Sequence, residues 1–507
     1  MHQTPSYYAR ARENAERGYG SKTIGLKSSL CLIINNIMGP AMVALPYLTQ
    51  RAGWLPVLLV NAICCVCSGL ASAMLCEALQ RIPGNFFFLG TNPETGQRYE
   101  FCDAVTFYWG KRWSVFIRLL FNVSLQAQNI PAMVVSCQVL DDLFREVFGH
   151  CFGLNFGIFP PEFDQCQEKD KFIITLGVVS CMLICIPFGC LNLDQNITFQ
   201  NISFLCLAVL VAEFLIQFTF IGPLTQDLPL IPSRTPLATV DQAKTLGVVL
   251  FSWCFPSTLP SWVNEKSPRV RVNRVLWVSC VFSFFCKFLV ALLGAWAYDL
   301  LHQKNQTDSQ NILLVMDHVR SQWTTKLSAY LFNFTTLIPG IPVIAVVVRY
   351  NLLSSGACGK WSASFFGVVL PWVLTVLLFR TSLFVTALNW AAMLCMGPIN
   401  FIVPPLVFLT AVRRFPQESP PRDIFSLDSH VSNDGVESES SFVLTGESAV
   451  GALGQTSQVS VIAVPGRFQS KRSCIAQVIA ATMAALVAAT ILLNMYFLII
   501  LREDIVD

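Results

Sequence analysis

The chain has 507 residues, of which 54% are hydrophobic and only 13% charged, with 39 Phe and a mean hydropathy of +0.55. A soluble domain carries about a quarter charged residues, so this composition excludes an ordinary soluble enzyme and points to a polytopic membrane protein. The net charge of +3 is too small to define a charged partner, and the information lies in where the charges stand.

Residues 1–27 are polar and basic and lack the short apolar core of a cleavable signal, so they read as a cytosolic tail. The first apolar stretch, Ser28–Gln50, has Asn35-Asn36-Ile37-Met38-Gly39-Pro40 at its centre. Proline removes a backbone donor and glycine weakens helix on both sides. Within a bilayer such an interruption survives only where protein or a wet cavity covers it. An opened transmembrane helix offers half-helix dipoles and bare backbone groups to a ligand. This stretch is therefore the first binding-site candidate.

Ten further stretches are long enough for a hydrocarbon core of roughly 30 Å. They are Trp54–Leu79, Trp113–Leu140, Phe172–Cys190, Ile202–Phe220, Leu246–Trp262, Val275–Tyr298, Leu327–Val348, Ser362–Phe379, Ser382–Val412 and Ile475–Leu501. Lys and Arg concentrate in the first tail and in alternate loops, with Lys266, Arg269, Arg271 and Arg274 after span six as the firmest marker. By the positive-inside rule the N-terminus is cytosolic and the C-terminus outside. The sequon at Asn305 then falls in an outer loop and is a glycosylation candidate. Cys151 and Cys166 share the outer loop Arg145–Lys171, where an oxidising lumen favours a disulfide and two free thiols are the alternative. Most of the 19 Cys lie in apolar runs as small hydrophobes. Residues 99–113 read as an amphipathic helix on the inner surface. Residues 413–473, rich in Ser, Pro, Gly and acid, read as a disordered cytosolic loop.

Span six carries a second interruption, with Pro256 and Pro260 near its centre. Breaks in spans one and six are corresponding positions of two five-helix halves, residues 28–220 and 246–412. That is the mark of an inverted-repeat transporter, with the span at 475–501 added to the five-plus-five core. Asn122, Gln126 and Asn129 form one stripe on span three, lining a pathway or bonding between helices. Asn333, Thr335 and Thr336 precede Pro339-Gly340 in span eight. Their hydroxyls either join carbonyls of the first break around sodium or bond back to their own helix. Arg118, Glu213 and Lys287 are ionisable residues within spans, each costing about 2.5–3.5 kcal/mol without a partner. Arg118 snorkels to the cytosolic end. Glu213 and Lys287 are expected to pair, with proton carriage by Glu213 as the alternative. No metal-spaced cluster of the 5 His, nucleophile motif or phosphate loop is present, so no enzyme activity and no cofactor is expected.

Several of these segments resemble those of the amino acid/auxin permease family, a transmembrane amino acid transporter family. Asn36-Ile-Met-Gly-Pro-Ala-Met-Val-Ala-Leu-Pro-Tyr47 with Ala52-Gly-Trp54 is similar to its first-helix pattern. Phe251-Ser-Trp-Cys-Phe-Pro-Ser-Thr-Leu-Pro260 is similar to its sixth-helix break. Asn311-Ile-Leu-Leu, Ile341-Pro-Val and Arg349-Tyr-Asn-Leu352 resemble segments around its eighth helix. The resemblance covers Lys22 to Val412. It implies an all-α membrane protein of eleven helices with the LeuT-type fold, and secondary transport of an amino acid coupled to a proton or sodium gradient. Substrate would meet Asn36, Ile37, Met38, Gly39, Pro40 and Ala41 of the first break and Trp253, Cys254, Phe255 and Ser257 of the sixth, with Asn122 and Gln126 nearby. Asn35, Thr335, Thr336 and Glu213 are the ion-coupling candidates. The second glycine of the family's Gly-x-Gly is Ala41 here, which leaves less open backbone for the substrate, and a usually polar position is Phe255, which suggests a more apolar contact; the amino acid is expected to be neutral. The expected partners are the amino acid and the bilayer, with no nucleic acid and a monomeric chain, in the plasma membrane or a vacuolar or lysosomal one. A sensor that keeps the binding site but signals through a partner is the alternative, and a channel is a poorer fit to two breaks.

Overall fold

A computed structural model describes residues 23–39, 41–82, 85, 98–150, 152–155, 162–165, 173–221, 245–267, 269–298, 300, 312, 323–356, 358–378, 392–415 and 472–506. The described chain is mostly helical. Eight helices are long and apolar enough to cross a membrane, or up to nine if one bent pair counts as a span. That pair is α1 (Leu26–Ile37) and α2 (Ala41–Ala52), which meet at 47°. Then follow α3 (Trp54–Gln80), α4 (Phe101–Trp109) and α5 (Lys111–Phe148). Gly110, at φ 85°, lets α4 turn directly into α5.

A three-stranded antiparallel sheet, in the order β2-β1-β3, follows α5: β1 (Phe152–Asn155), β2 (Glu162–Gln165) and β3 (Ile173–Thr175). The all-α expectation missed it, and the residues at 173–175 expected in span four belong to β3. The Thr175 side chain caps the following helix by accepting from the Val178 amide, so α6 (Leu176–Cys190) is only 15 residues long.

The remaining helices are α7 (Ile197–Ile221), α8 (245–252), α9 (Leu259–Glu265), α10 (Val272–Ala297) and α11 (Trp323–Ser354). They continue with α12 (Lys360–Ser364), a π-helical turn Phe365–Val369 and α13 (Leu370–Leu378). Two further π-helical turns, Ala392–Met396 and Pro398–Ile402, lead into α14 (Val403–Arg414), and α15 (Arg472–Val506) closes the described chain. Residues 416–471 and Asn305 lie outside the described residues, as do Cys151 and Cys166. The last two adjoin in sequence the register pair Phe152↔Gln165.

Helix α11 sits at the centre, packed on α5, α6 and α7, while α10 packs on α1, α2, α3 and α7. Close helix approach in a membrane relies on small residues. A Cβ on Gly177 of α6 would stand 2.5 Å from the Cys137 carbonyl of α5. The outer surface is apolar: Phe220 is 84% and Leu183 72% exposed, as suits side chains facing lipid.

Arg349, Tyr350 and Asn351 of α11 tie the bundle together at one end. The Arg349 guanidinium donates to the carbonyls of Gly189, Cys190 and Leu191, the open C-terminal end of α6. A cation is favoured at that end of the helix dipole. The Tyr350 hydroxyl accepts from the Leu193 amide, and the Asn351 side chain accepts from the Cys102 amide of α4.

Candidate functional site

Each break is built where a residue fails to continue its helix. Helix α1 ends with the Met38 amide bonding to the Ile34 carbonyl, and the Ile37 and Met38 side chains are buried in the core. Gly39 follows, and among the described residues, its chain neighbours aside, a Cβ added there would meet nothing within 4 Å. Its space is open rather than filled by packing. Ala41 begins α2, and Pro40 between them lies outside the described residues.

In the sixth span, helix stops at Ser252 and resumes as the 3-10 turn Pro256–Thr258 before α9. The cause is chemical: Pro256 has no N–H to offer the Ser252 carbonyl four residues earlier. That carbonyl accepts instead from the Lys287 ammonium of α10 at 3.0 Å, and the Ser252 hydroxyl accepts from the same group at 3.0 Å. The Trp253 carbonyl accepts from the Ser68 hydroxyl at 2.6 Å, and its indole N–H donates to Asn61 at 2.7 Å. The Ser257 amide donates to the side-chain oxygen of Asn400, which stands in the π-helical turn Pro398–Ile402. Neighbouring spans thus hold the interrupted backbone open.

The two breaks touch. Asn36 donates its side-chain amide to the Thr258 hydroxyl at 2.6 Å. Beside this bond is a small cleft of about 20 Å³, partly open to solvent. Asn36 and Thr258 are its polar corner, and Leu32, Ile33, Phe255 and Val343 are among its apolar walls. Among the described residues, none of its lining side chains is ionisable. Cys254 and Trp253 are buried behind the break, away from this lining, and the Ser257 hydroxyl is buried with no hydrogen-bond partner among the described residues.

A second joint connects α1, α7 and α11. Asn35 donates to the Gln200 carbonyl and side-chain oxygen, each at 3.0 Å, and to Ser203. Gln200 donates to the Pro339 carbonyl at 2.8 Å, and Ser203 donates to the Thr335 carbonyl. The Thr335 carbonyl is the one that Pro339, four residues on, cannot satisfy. The Thr335 and Thr336 hydroxyls both bond back to the Phe332 carbonyl of their own helix, so the Thr335 oxygen that faces α7 is a carbonyl and not a hydroxyl.

Other expected residues stand elsewhere. Asn122 bonds back to the Arg118 carbonyl, and neither Asn122, Gln126 nor Asn129 lines the cavity. Glu213 lies in electrostatic range of the Tyr298 phenol. The expected Glu213–Lys287 pair is not formed, because Lys287 is turned onto Ser252 and the face of Trp253. Thr258, Asn400, Gln200 and Ser203 were not anticipated. Gly397-Pro398 is a helix-break signal that could have pointed to Asn400, and Gln200 and Ser203 share one face of α7.

At the end of α9 a buried polar cluster closes the bundle. Arg98 pairs with Glu265 at 2.7 Å and donates to the Asn264 carbonyl. Glu100 accepts from Ser261 at 2.7 Å and from Asn264 at 2.9 Å. Ile24 joins the same end, its amide bonding to the Glu265 carbonyl and its carbonyl accepting from Ser267. The starts of the first broken span and the end of the sixth are therefore fastened to each other.

Comparison with known proteins gives two findings. No curated protein matches the chain. The family model described as "Transmembrane amino acid transporter protein" matches residues 22–387, which include both breaks, the joint to α7 and the cavity. The chain belongs to the transmembrane amino acid transporter family.

Proposed function

We propose that this protein is a secondary active transporter for a neutral amino acid, working by alternating access. The carrying observation is the Asn36–Thr258 bond between the two breaks, set at the polar corner of a cavity whose other walls are apolar. The open backbone at Gly39 and beyond Ser252 would take the amino and carboxylate groups, and the apolar wall the side chain. A charged side chain would find no counter-charge among the lining residues. In this reading the spans form eleven helices as a LeuT-type five-plus-five repeat with one added, the N-terminus is cytosolic, and one chain holds the whole site. The driving ion is a proton or sodium. Cys151 and Cys166, adjoining the pair Phe152↔Gln165, form a disulfide, and Asn305 carries a glycan.

The test is uptake of labelled amino acids into proteoliposomes, with an inward sodium gradient, an inward proton gradient, or neither. Accumulation of leucine, valine or phenylalanine well above lysine and glutamate under one gradient is expected. Equal uptake of charged and apolar amino acids would overturn the neutral preference, and no accumulation under any gradient would overturn transport.

A further inference from the structure

Lys287 is a buried charge that the transport reading leaves without a role. It lies within α10 and is fully buried, whereas a lysine in a membrane helix ordinarily extends its ammonium to the interface. Among the described residues no carboxylate stands within ion-pair distance of it; the groups around it are the thiols of Cys64, Cys65, Cys254 and Cys280. An intramembrane ammonium kept in such surroundings calls for a specific function.

Its contacts indicate one. The Nζ lies 3.0 Å from both the carbonyl and the hydroxyl oxygen of Ser252, and 4.3 Å from the centre of the Trp253 ring. Ser252 is the last residue of α8, so its carbonyl is the negative end of a half-helix dipole, the place where broken transporter helices hold a cation. Pro256 makes that carbonyl unsatisfiable from within the helix. The indole face adds a cation–π contact. Phe255, three residues after Ser252, lines the cavity. Lys287 itself does not line it, so it acts on the break from behind.

We propose that Lys287 is a tethered cation that does at the sixth-span break the work of a bound metal ion, fixing the open end of α8 so that the substrate-binding backbone keeps its shape. This rests on the transporter reading and makes Lys287 a positioning residue. The place for a free cation at this break is filled by the chain itself.

The test uses the purified full chain, with heat stabilisation by single L-amino acids and proteoliposome uptake as readouts. Lys287→Met keeps the volume and removes the charge; it is expected to lower uptake by about tenfold to a hundredfold, the range for losing a charged hydrogen-bond donor. Lys287→Ala should lose as much and recover in part when propylammonium is added, since that ion replaces the deleted atoms, but not with 1-propanol. Wild-type stabilisation should be the same in sodium, potassium and choline at one pH. Lys287→Met with wild-type uptake, equal rescue by 1-propanol, or a wild type that binds only in sodium would each overturn the proposal. Should Lys287→Ala fail to fold, Lys287→Met and the cation series still decide. A wild type that neither binds nor accumulates any amino acid would instead overturn the transporter reading.

Discussion

At the scale of single residues, Gly39 separates folding from function. A Cβ there meets no atom of the described residues within 4 Å apart from its chain neighbours, and its φ lies outside the range that favours glycine, so larger side chains are expected to be accommodated by the folded chain. What they would occupy is the open space at the first break. Gly39→Val is therefore expected to reach the membrane and unfold at the wild-type temperature while abolishing uptake; unchanged uptake would remove the first break from the site. Asn36 and Thr258 make the matching test of contact between the breaks. A neutral hydrogen bond contributes about 0.5–1.5 kcal/mol net, and a double-mutant cycle of Asn36→Ala with Thr258→Val should return a coupling of that order in substrate affinity. Asn36, Gly39 and Phe255 were legible in the sequence because glycine and proline write a helix break into the chain. Thr258, Asn400 and Gln200 were not, because their roles are set by which distant span comes to lie opposite.

At the scale of elements, proline is the organising chemistry. Each proline inside a span orphans the carbonyl four residues before it, and at three of them side chains from other spans approach that carbonyl. Lys287 serves Ser252, Ser203 serves Thr335, and the Cys185 thiol lies against the Ile338 carbonyl, which Pro342 leaves open. The apolar runs themselves could be read from hydropathy alone, since a span must be apolar on every side that meets lipid. The three-stranded sheet and the π-helical turns could not. The sheet occupies a polar loop with weak alternation, and a π turn leaves an apolar pattern unchanged. Ser203→Ala tests the scheme. It leaves the Thr335 carbonyl buried without a donor, a loss of about 1–3 kcal/mol, and should lower the heat-unfolding midpoint. Gly177→Val should do so more strongly, because its Cβ would press into the Cys137 carbonyl and force α5 and α6 apart.

At the scale of the whole molecule, the polar cluster at the end of α9 ties the two broken spans together at one end. Arg98, Glu100, Asn264 and Glu265 fasten the sixth span to the segment before α4, and Ile24 fastens the first span to the sixth. In the proposed alternating-access cycle these bonds would have to part in one of its two states. Glu100 makes the fastening sensitive to pH. Burial pushes its carboxyl up to about 7, against the opposing hydrogen bonds from Ser261 and Asn264 and the charge of Arg98. Burial likewise raises Asp103, three residues on in the same turn and facing Arg118 and Ser354, to about 6. A carboxyl whose pKa is raised in the closed form binds its proton more tightly there than when solvated. Its contribution to closure is complete below the ordinary 4.5 and is lost as pH rises through about 7. The heat-unfolding midpoint should therefore fall between about pH 5 and pH 8, and Glu100→Gln, which cannot ionise, should flatten that fall while keeping one acceptor oxygen for Asn264 and turning its NH2 to donate to the Ser261 hydroxyl oxygen. A midpoint that rises with pH over this window, or an equally steep fall in Glu100→Gln, would place the control of this end elsewhere. If the prediction holds, the end that carries Glu100 is held shut more firmly as the compartment it faces becomes more acidic, so the proposed cycle would respond to pH on that side of the membrane.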